Sequence, residues 1–540
     1  MRFNCFKLAL LAWAIGLFMG GSAAWAATSA SSDAPDRKDL PTDAREMALR
    51  IDALLVEQWK VAKVEPAPPA SDGEFLRRIY LDLTGVIPRA SEVREFLADG
   101  RPDKRERLID QLLASPRHAT HMATTWRNRI LPLGVEPERG PQAMGLQKWL
   151  RTRFAKNLRY DNLVGELLLA IGGDELGPAL YFQANDLAPE KLAASSAELF
   201  LGVKLECAQC HDHPFSDWSQ RDFWGLAAFF ARVRAPNDRN VMMRASYRLV
   251  DVDKGDVTLP ESSEVVPPKF PGGDAAGDDG RRSRRVQLTL WMTSRDNPFF
   301  ARAAVNWGWS HMFGRGLVES LDNIDRENPT SNAALLDELA AYFVKSRFDL
   351  QQLWRTLANT RAYQLSSSQS GKQEAADPEL FAQIEAKPLT PEQLYDSFML
   401  LAPQVGIMPQ GGVASVLPVG FDEDPARVEF VRRMRPPPGS ATEYRAGTLQ
   451  ALMLMNGPLA ASVTGADQSS LIGALDAPFM DGREQIESMF LAVLARPPDE
   501  GELTACVEAL KAAESGDERK RALSDILWAL LNSTEFAFNH

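Results

Sequence analysis

Apolar residues recur at three- and four-residue spacing along most of the chain, and that rhythm leaves little room for any fold other than a helical one. It starts near Asp43 and runs to about Trp59, placing Met47, Ile51, Leu54 and Leu55 on one face. After a Pro-rich break at 64–71 it resumes from Glu74 to Val233, where Ser91 and Gly100 read as the start and stop of one short helix. Between about Arg234 and Arg285 the rhythm fails. Residues 247–259 alternate apolar and polar side chains around Lys254-Gly255, which predicts a hairpin, and 264–273 (EVVPPKFPGG) reads as extended or turn-rich. Helical spacing returns at Val286 and lasts to the C-terminus, apart from a Pro/Gly-rich interruption at about 403–440. Asn332 before Ala333, and Pro391 after Thr390, are helix starts.

A chain of 540 residues is too long for one core. The expected fold class is mainly α: two helical domains, 43–235 and 286–540, with a small β-rich insert at 236–285 between them. One pattern recurs. Residues 80–93 align without gaps to 490–503, with an aromatic-Leu start, Pro88 against Pro498, and Glu92 against Glu502 opening the next helix. This predicts one helix-turn-helix unit used near both ends.

The N-terminus reads as a signal peptide over 1–26. Arg2 and Lys7 precede a short apolar run, and Ala24-Trp25-Ala26 offers a cleavage site. That run is short for a bilayer span, although an uncleaved anchor is the alternative. The expected location is the periplasm or outside the cell, with no transmembrane segment in the mature chain and a polar, disordered stretch at 27–42. Arg2 and Lys7 are the only charges in 1–26, so cleavage moves the net charge from −12 to −14. An acidic chain repels phosphate backbones, so no nucleic acid is expected as partner. The basic cluster Arg281, Arg282, Arg284 and Arg285 reads as a solvated loop.

Only four cysteines are present, so disulfides do not hold the fold. Cys5 lies before the apolar run and Cys506 sits in a helical pattern as a buried thiol. The remaining pair stands in Cys207-Ala208-Gln209-Cys210-His211, the haem c attachment pattern. Two intervening residues in a helical turn bring both sulfurs to one porphyrin edge, and the next residue aims its imidazole at the iron. Cys207, Cys210 and His211 are therefore candidate cofactor-binding residues, and the implied function is periplasmic electron transfer with a redox partner protein. Two alternatives stay open. Cys207, Cys210, His211 and His213 form an N/S set that zinc accepts, with His211 and His213 as metal ligands, although ligands packed so tightly rarely reach one tetrahedral ion. The two thiols can also form a small disulfide or stay free. Candidate sixth ligands for a haem are His118, His121, His311, Met122 and Met312. The first two lie three apart on one helix face, and His311 sits among aromatics. The aromatic run from Phe223 to Phe230 can wall a haem or serve as ordinary core. No Ser-centred nucleophile elbow, P-loop or dinucleotide fingerprint is present, so no catalytic residue is assigned.

Several segments are similar to one known family arrangement. They include FLRRIYLDLTGVIP at 75–88, FLGV running into CAQCHDHPF at 200–215, and NPFFARAAVN at 297–306. TRAYQLSS at 360–367, MNGP at 455–458 and LNSTEF at 531–536 continue the match. Together they resemble the planctomycete-type secreted cytochrome-C-like domain followed by its companion PSD-type domain of unknown function. The resemblance implies a secreted two-domain protein of undetermined activity, with Cys207, Cys210, His211 and His213 on the family's Cys-x-x-Cys-His-Asp-His-Pro segment. Many members carry Trp-Leu-Asp where this chain has Trp126-Arg127-Asn128, so an acid-base role borrowed for that region loses its carboxylate. The non-redox alternative is an exported scaffold or hydrolase accessory with a structural metal or thiol site.

Overall fold

Local caps set many of the helices. Asp43 accepts hydrogen bonds from the amides of Arg45 (2.9 Å) and Glu46 (3.1 Å) and opens helix Ala44–Ala62, which buries Met47, Ile51, Leu55 and Trp59. Thr390 and Gln393 form a capping box ahead of Pro391, and helix Pro391–Leu401 follows. Asn332 precedes helix Ala333–Lys345. The helix placed at Ser91 opens slightly earlier, as Ala90–Ala98.

The computed structural model describes residues 40–131, 141–173, 177–214, 216–235, 247–277, 282–321, 323–324, 330, 332–368, 377–402, 424–435 and 448–540. The signal-like segment 1–26 and most of 27–42 lie outside them. The architecture is mainly α, and strand among the described residues is confined to four two-stranded antiparallel pairs. No helix among them is long and apolar enough to cross a membrane.

Three expectations need correction. The hairpin at 247–259 does not form. Tyr247–Arg248 pairs with Gly172–Gly173, Val250–Asp251 with Val233–Arg234, and Val257–Thr258 with Val265–Val266. The reason lies at Gly255, whose φ is +145°. A Cβ there would stand 2.4 Å from the Ala231 carbonyl oxygen, so the segment lies down on 231–234 instead of turning back on itself. The basic cluster is not a solvated loop where it is described. Arg285 is buried, donates to the Ala170 carbonyl (2.7 Å) and pairs with Asp251, while Arg284 pairs with Asp256. Helix Pro425–Met434 interrupts the stretch read as loop at 403–440, capped by Asp424 and anchored by Arg427.

Helix Asp72–Thr84 is the axis of the fold. Phe75, Leu76, Ile79 and Leu83 enter one hydrophobic cluster and Leu81 enters a second. Fully burying five such side chains contributes roughly 7–15 kcal/mol over leaving them exposed. That offsets the desolvation of Arg77 and Arg78 on the same helix. Arg77 donates to the carbonyls of Val493 (2.9 Å) and Phe536 (2.8 Å), and Arg78 to those of Tyr363 (2.6 Å), Leu365 (2.8 Å) and His540 (3.1 Å). Burial lowers the Arg77 pKa to about 10. The first cluster gathers residues from Leu40 to Ile384, with Leu491 and Ala495, and crosses the sequence boundary at 285. The second is built mainly from Leu389 onward.

The repeated pattern has a structural counterpart. Helices Asp72–Thr84 and Gly482–Leu494 are both 13 residues long, and each ends on a left-handed residue, Gly85 or Ala495. The next helices open at Ala90 and Glu500, where Glu92 and Glu502 each accept from the residue three positions earlier at 2.8 Å. The third helices, Lys104–Leu113 and Gly516–Leu531, differ in length.

Candidate functional sites: a thiol turn and a polar cavity

The CxxCH segment is a surface turn braced from below. Helix Pro189–Ser196 runs into a wider turn at Ala197–Leu201 and stops at Gly202, where a Cβ would meet Ile324 Cδ1 at 2.7 Å. A 3₁₀ turn, Glu206–Gln209, follows. Ala208 is fully buried, whereas Cys207, Cys210 and His211 are exposed. Trp224 Nε1 donates to the Gln209 carbonyl (3.0 Å), and the Gln220 amide donates to the carbonyls of Gln209 (3.2 Å) and Cys210 (2.8 Å). The backbone is thus held while both sulfurs and the imidazole face outward. The two cysteines are not bonded to each other. The His211 ring sets Nδ1 2.7 Å from the Asp212 carbonyl oxygen, so Nδ1 carries a proton in this contact. His213 is half-exposed, and its backbone amide donates to the Trp218 carbonyl at 2.8 Å. Among the described residues, no group of three or more His, Cys, Asp and Glu side chains is arranged to hold a metal ion.

Four of the five candidate sixth ligands are committed elsewhere. Met122 and Met312 are fully buried in the first cluster, as are Phe223, Phe229 and Phe230. His118 is buried with Nδ1 2.9 Å from the Leu83 carbonyl oxygen, and His311 sets Nε2 3.0 Å from the Asp82 carbonyl oxygen while stacking on Trp307. His121 faces His311 with ring centroids 5.7 Å apart.

These last two imidazoles line a cavity of about 280 Å³ that no local sequence pattern announces. Asp82 is its hub. Its carboxylate accepts from Tyr363 Oη (2.8 Å), Lys387 Nζ (2.7 Å) and Asn539 Nδ2 (2.7 Å). Lys387 spends its other two protons on the carbonyls of His311 (2.8 Å) and Met312 (3.0 Å). On the facing wall, Asn128 Nδ2 donates to Glu392 (2.8 Å), and Arg427 grips Asp396 with two hydrogen bonds (2.8 and 3.1 Å). Burial lowers the His118 pKa to about 4, pushes His121 well below its ordinary value and lowers His311, so all three rings are neutral at neutral pH. Burial raises the Tyr363 phenol well above its ordinary value and keeps it a donor to Asp82. The Glu392 carboxyl is desolvated, yet the cations of Arg435, Arg427 and Arg127 hold it below its ordinary value.

Comparison with known families now decides the relationship. Residues 50–235 match the PSCyt2 model, described as a protein of unknown function (DUF1549), and residues 284–429 match the PSD1 model, a protein of unknown function (DUF1553). The chain is a PSCyt2–PSD1 protein. No curated protein and no solved structure matches it. In this PSCyt2–PSD1 protein the thiol turn lies within the first match. The cavity takes Asp82 and His121 from the first, His311, Lys387, Glu392 and Arg427 from the second, and Asn539 from beyond both. Asn128 is on the cavity wall.

Proposed function

We propose that the PSCyt2–PSD1 protein is an exported redox protein that carries haem c on the turn at Cys207, Cys210 and His211. One observation carries the reading: two unbonded thiols and an imidazole with its Nδ1 proton committed share one exposed, braced turn. Cys207 and Cys210 are the thioether donors, and His211 Nε2 is the proximal ligand. When bound, haem supplies a one-electron iron couple. The chain's own contribution is placement. Gln220 and Trp224 fix the backbone carbonyls, Ala208 anchors the turn in the core, and Asp212 sets the imidazole tautomer. The signal-like sequence at 1–26 suits this reading, because haem c is attached outside the cytoplasm.

The test is an absorption spectrum of protein made in a host competent for haem c maturation. A Soret band that survives acid-acetone extraction and a haem-stained band in denaturing gels are expected, with both lost in Cys210→Ala. A colourless protein from that host overturns the proposal. Mass spectrometry then separates the thiol reading, with both cysteines free or joined, from the zinc reading, with one metal ion per chain.

A further inference from the structure

The cavity around Asp82 is unused by the thiol turn, and its hydrogen-bonding balance is lopsided. Several of its donors are spent inside the protein. All three Lys387 protons are used, the Tyr363 hydroxyl and the Asn539 amide go to Asp82, and the Asn128 amide goes to Glu392. Thr84 and Thr120 give their protons to their own helices. Thr84 donates to the Tyr80 carbonyl (2.7 Å) and Thr120 to the Pro116 carbonyl (3.1 Å), which leaves lone pairs on the cavity side. What faces the space is therefore rich in acceptors: two hydroxyl oxygens and the carboxylates of Asp82 and Glu392. His121 adds an enclosed Nε2 without a well-formed hydrogen bond, although the Asp82 backbone lies in polar contact with the ring. Such a nitrogen is costly to bury without a partner. The lining holds three acids, Asp82, Glu392 and Asp396, against two cations, Lys387 and Arg427, while Arg435 and Arg127 act on Glu392 from outside the lining, so at the cavity wall itself acids outnumber cations. At about 280 Å³ it lies just below the span of drug-sized pockets, about 300–1,000 Å³.

From this we infer that the cavity is a binding site for one small, hydroxyl-rich molecule without negative charge, of the size of a single sugar ring. Ligand hydroxyls donate to Thr84, Thr120, Asp82 and Glu392, and one of them engages His121 Nε2. Because the site draws on both family segments, the ligand also couples the PSCyt2 segment to the PSD1 segment.

Isothermal titration of the full chain with D-glucose, D-glucosamine, D-glucuronate and inorganic phosphate tests this. Saturable 1:1 binding of glucose or glucosamine is expected, at least ten-fold tighter than glucuronate, with phosphate silent. Glucosamine above glucose identifies an amine-bearing ligand, and the reverse a neutral polyol. Both support the site. Thr125→Leu, which adds bulk at the cavity wall, and His121→Asn should each weaken binding at least ten-fold. If His121→Asn fails to fold, Thr125→Leu carries the test alone. The inference is overturned if neither sugar binds, if glucuronate or phosphate binds as well as glucose, or if Thr125→Leu leaves affinity unchanged. Binding should persist in Cys210→Ala, which separates this site from the haem proposal.

Discussion

Removing the Asp82 carboxylate should loosen the fold by a measurable amount. In Asp82→Ala, Lys387 keeps two carbonyl partners, but the Tyr363 hydroxyl and the Asn539 amide lose their acceptor in a buried place. Each orphaned donor costs about 1–3 kcal/mol. Breaking a buried ion pair by deleting one partner costs roughly 3–5 kcal/mol. The Lys387 side chain stays 19% exposed, which trims that cost. A total of about 5 kcal/mol, the low end of that sum, follows. The described residues belong to one unit, Pro35–His540, of about 500 residues, whose unfolding entropy of roughly 2 cal/mol/K per residue makes 5 kcal/mol equal to a fall of about 5 °C in Tm. Asp82→Ala combined with Lys387→Met should recover about half of the loss, because the lysine no longer needs a counter-charge. Differential scanning calorimetry of the wild type, both single variants and the double variant measures the coupling. A shift below about 1 °C in Asp82→Ala, or strictly additive effects in the double variant, would refute the hub assigned to this carboxylate.

Two further outcomes follow. His118, His121 and His311 are all held below the ordinary histidine pKa of about 6.5, so the unfolded chain takes up their protons first as pH falls. Their stabilising contribution is complete above about pH 6.5 and is lost on acidification, down to about pH 4 for His118, at about 1.4 kcal/mol per pH unit for each ring. Urea midpoints should therefore fall between pH 7 and pH 5, and a flat profile would sink the argument. In native protein lacking haem, Cys207 and Cys210 should react with iodoacetamide before Cys506, which is half-buried and whose thiol burial pushes up. Peptide mapping by mass spectrometry reads the order, and equal rates would contradict it.

The helical class was legible because amphipathic spacing and capping residues act within a few positions. Asp43, Thr390 and Pro391 declared their helices unaided. Strand pairing was not legible. The alternation at 247–259 is real, but its partners at 172–173 and 233–234 are chosen by tertiary contact, and Gly255 favours lying on Ala231 over reversing the chain. The thiol turn was visible as a motif, because its geometry is local. The cavity was not, since Asp82, Tyr363, Lys387 and Asn539 meet from positions up to 457 apart. One signal was available. Arg77, Arg78 and Asp82 interrupt an otherwise apolar run in the axial helix, and charges that folding forces inside need partners or a purpose.

The grip of Arg77 and Arg78 on carbonyls up to 462 positions downstream carries a consequence for how the molecule matures. A ribosome delivers residues 72–84 long before 536–540 exist, so two guanidinium groups meant for a dry interior wait in water until that segment is made. The axial helix cannot settle early, and the chain stays pliable until residues 536–540 arrive. Removing residues 536–540 should therefore act on the middle of the molecule and not merely on its edge.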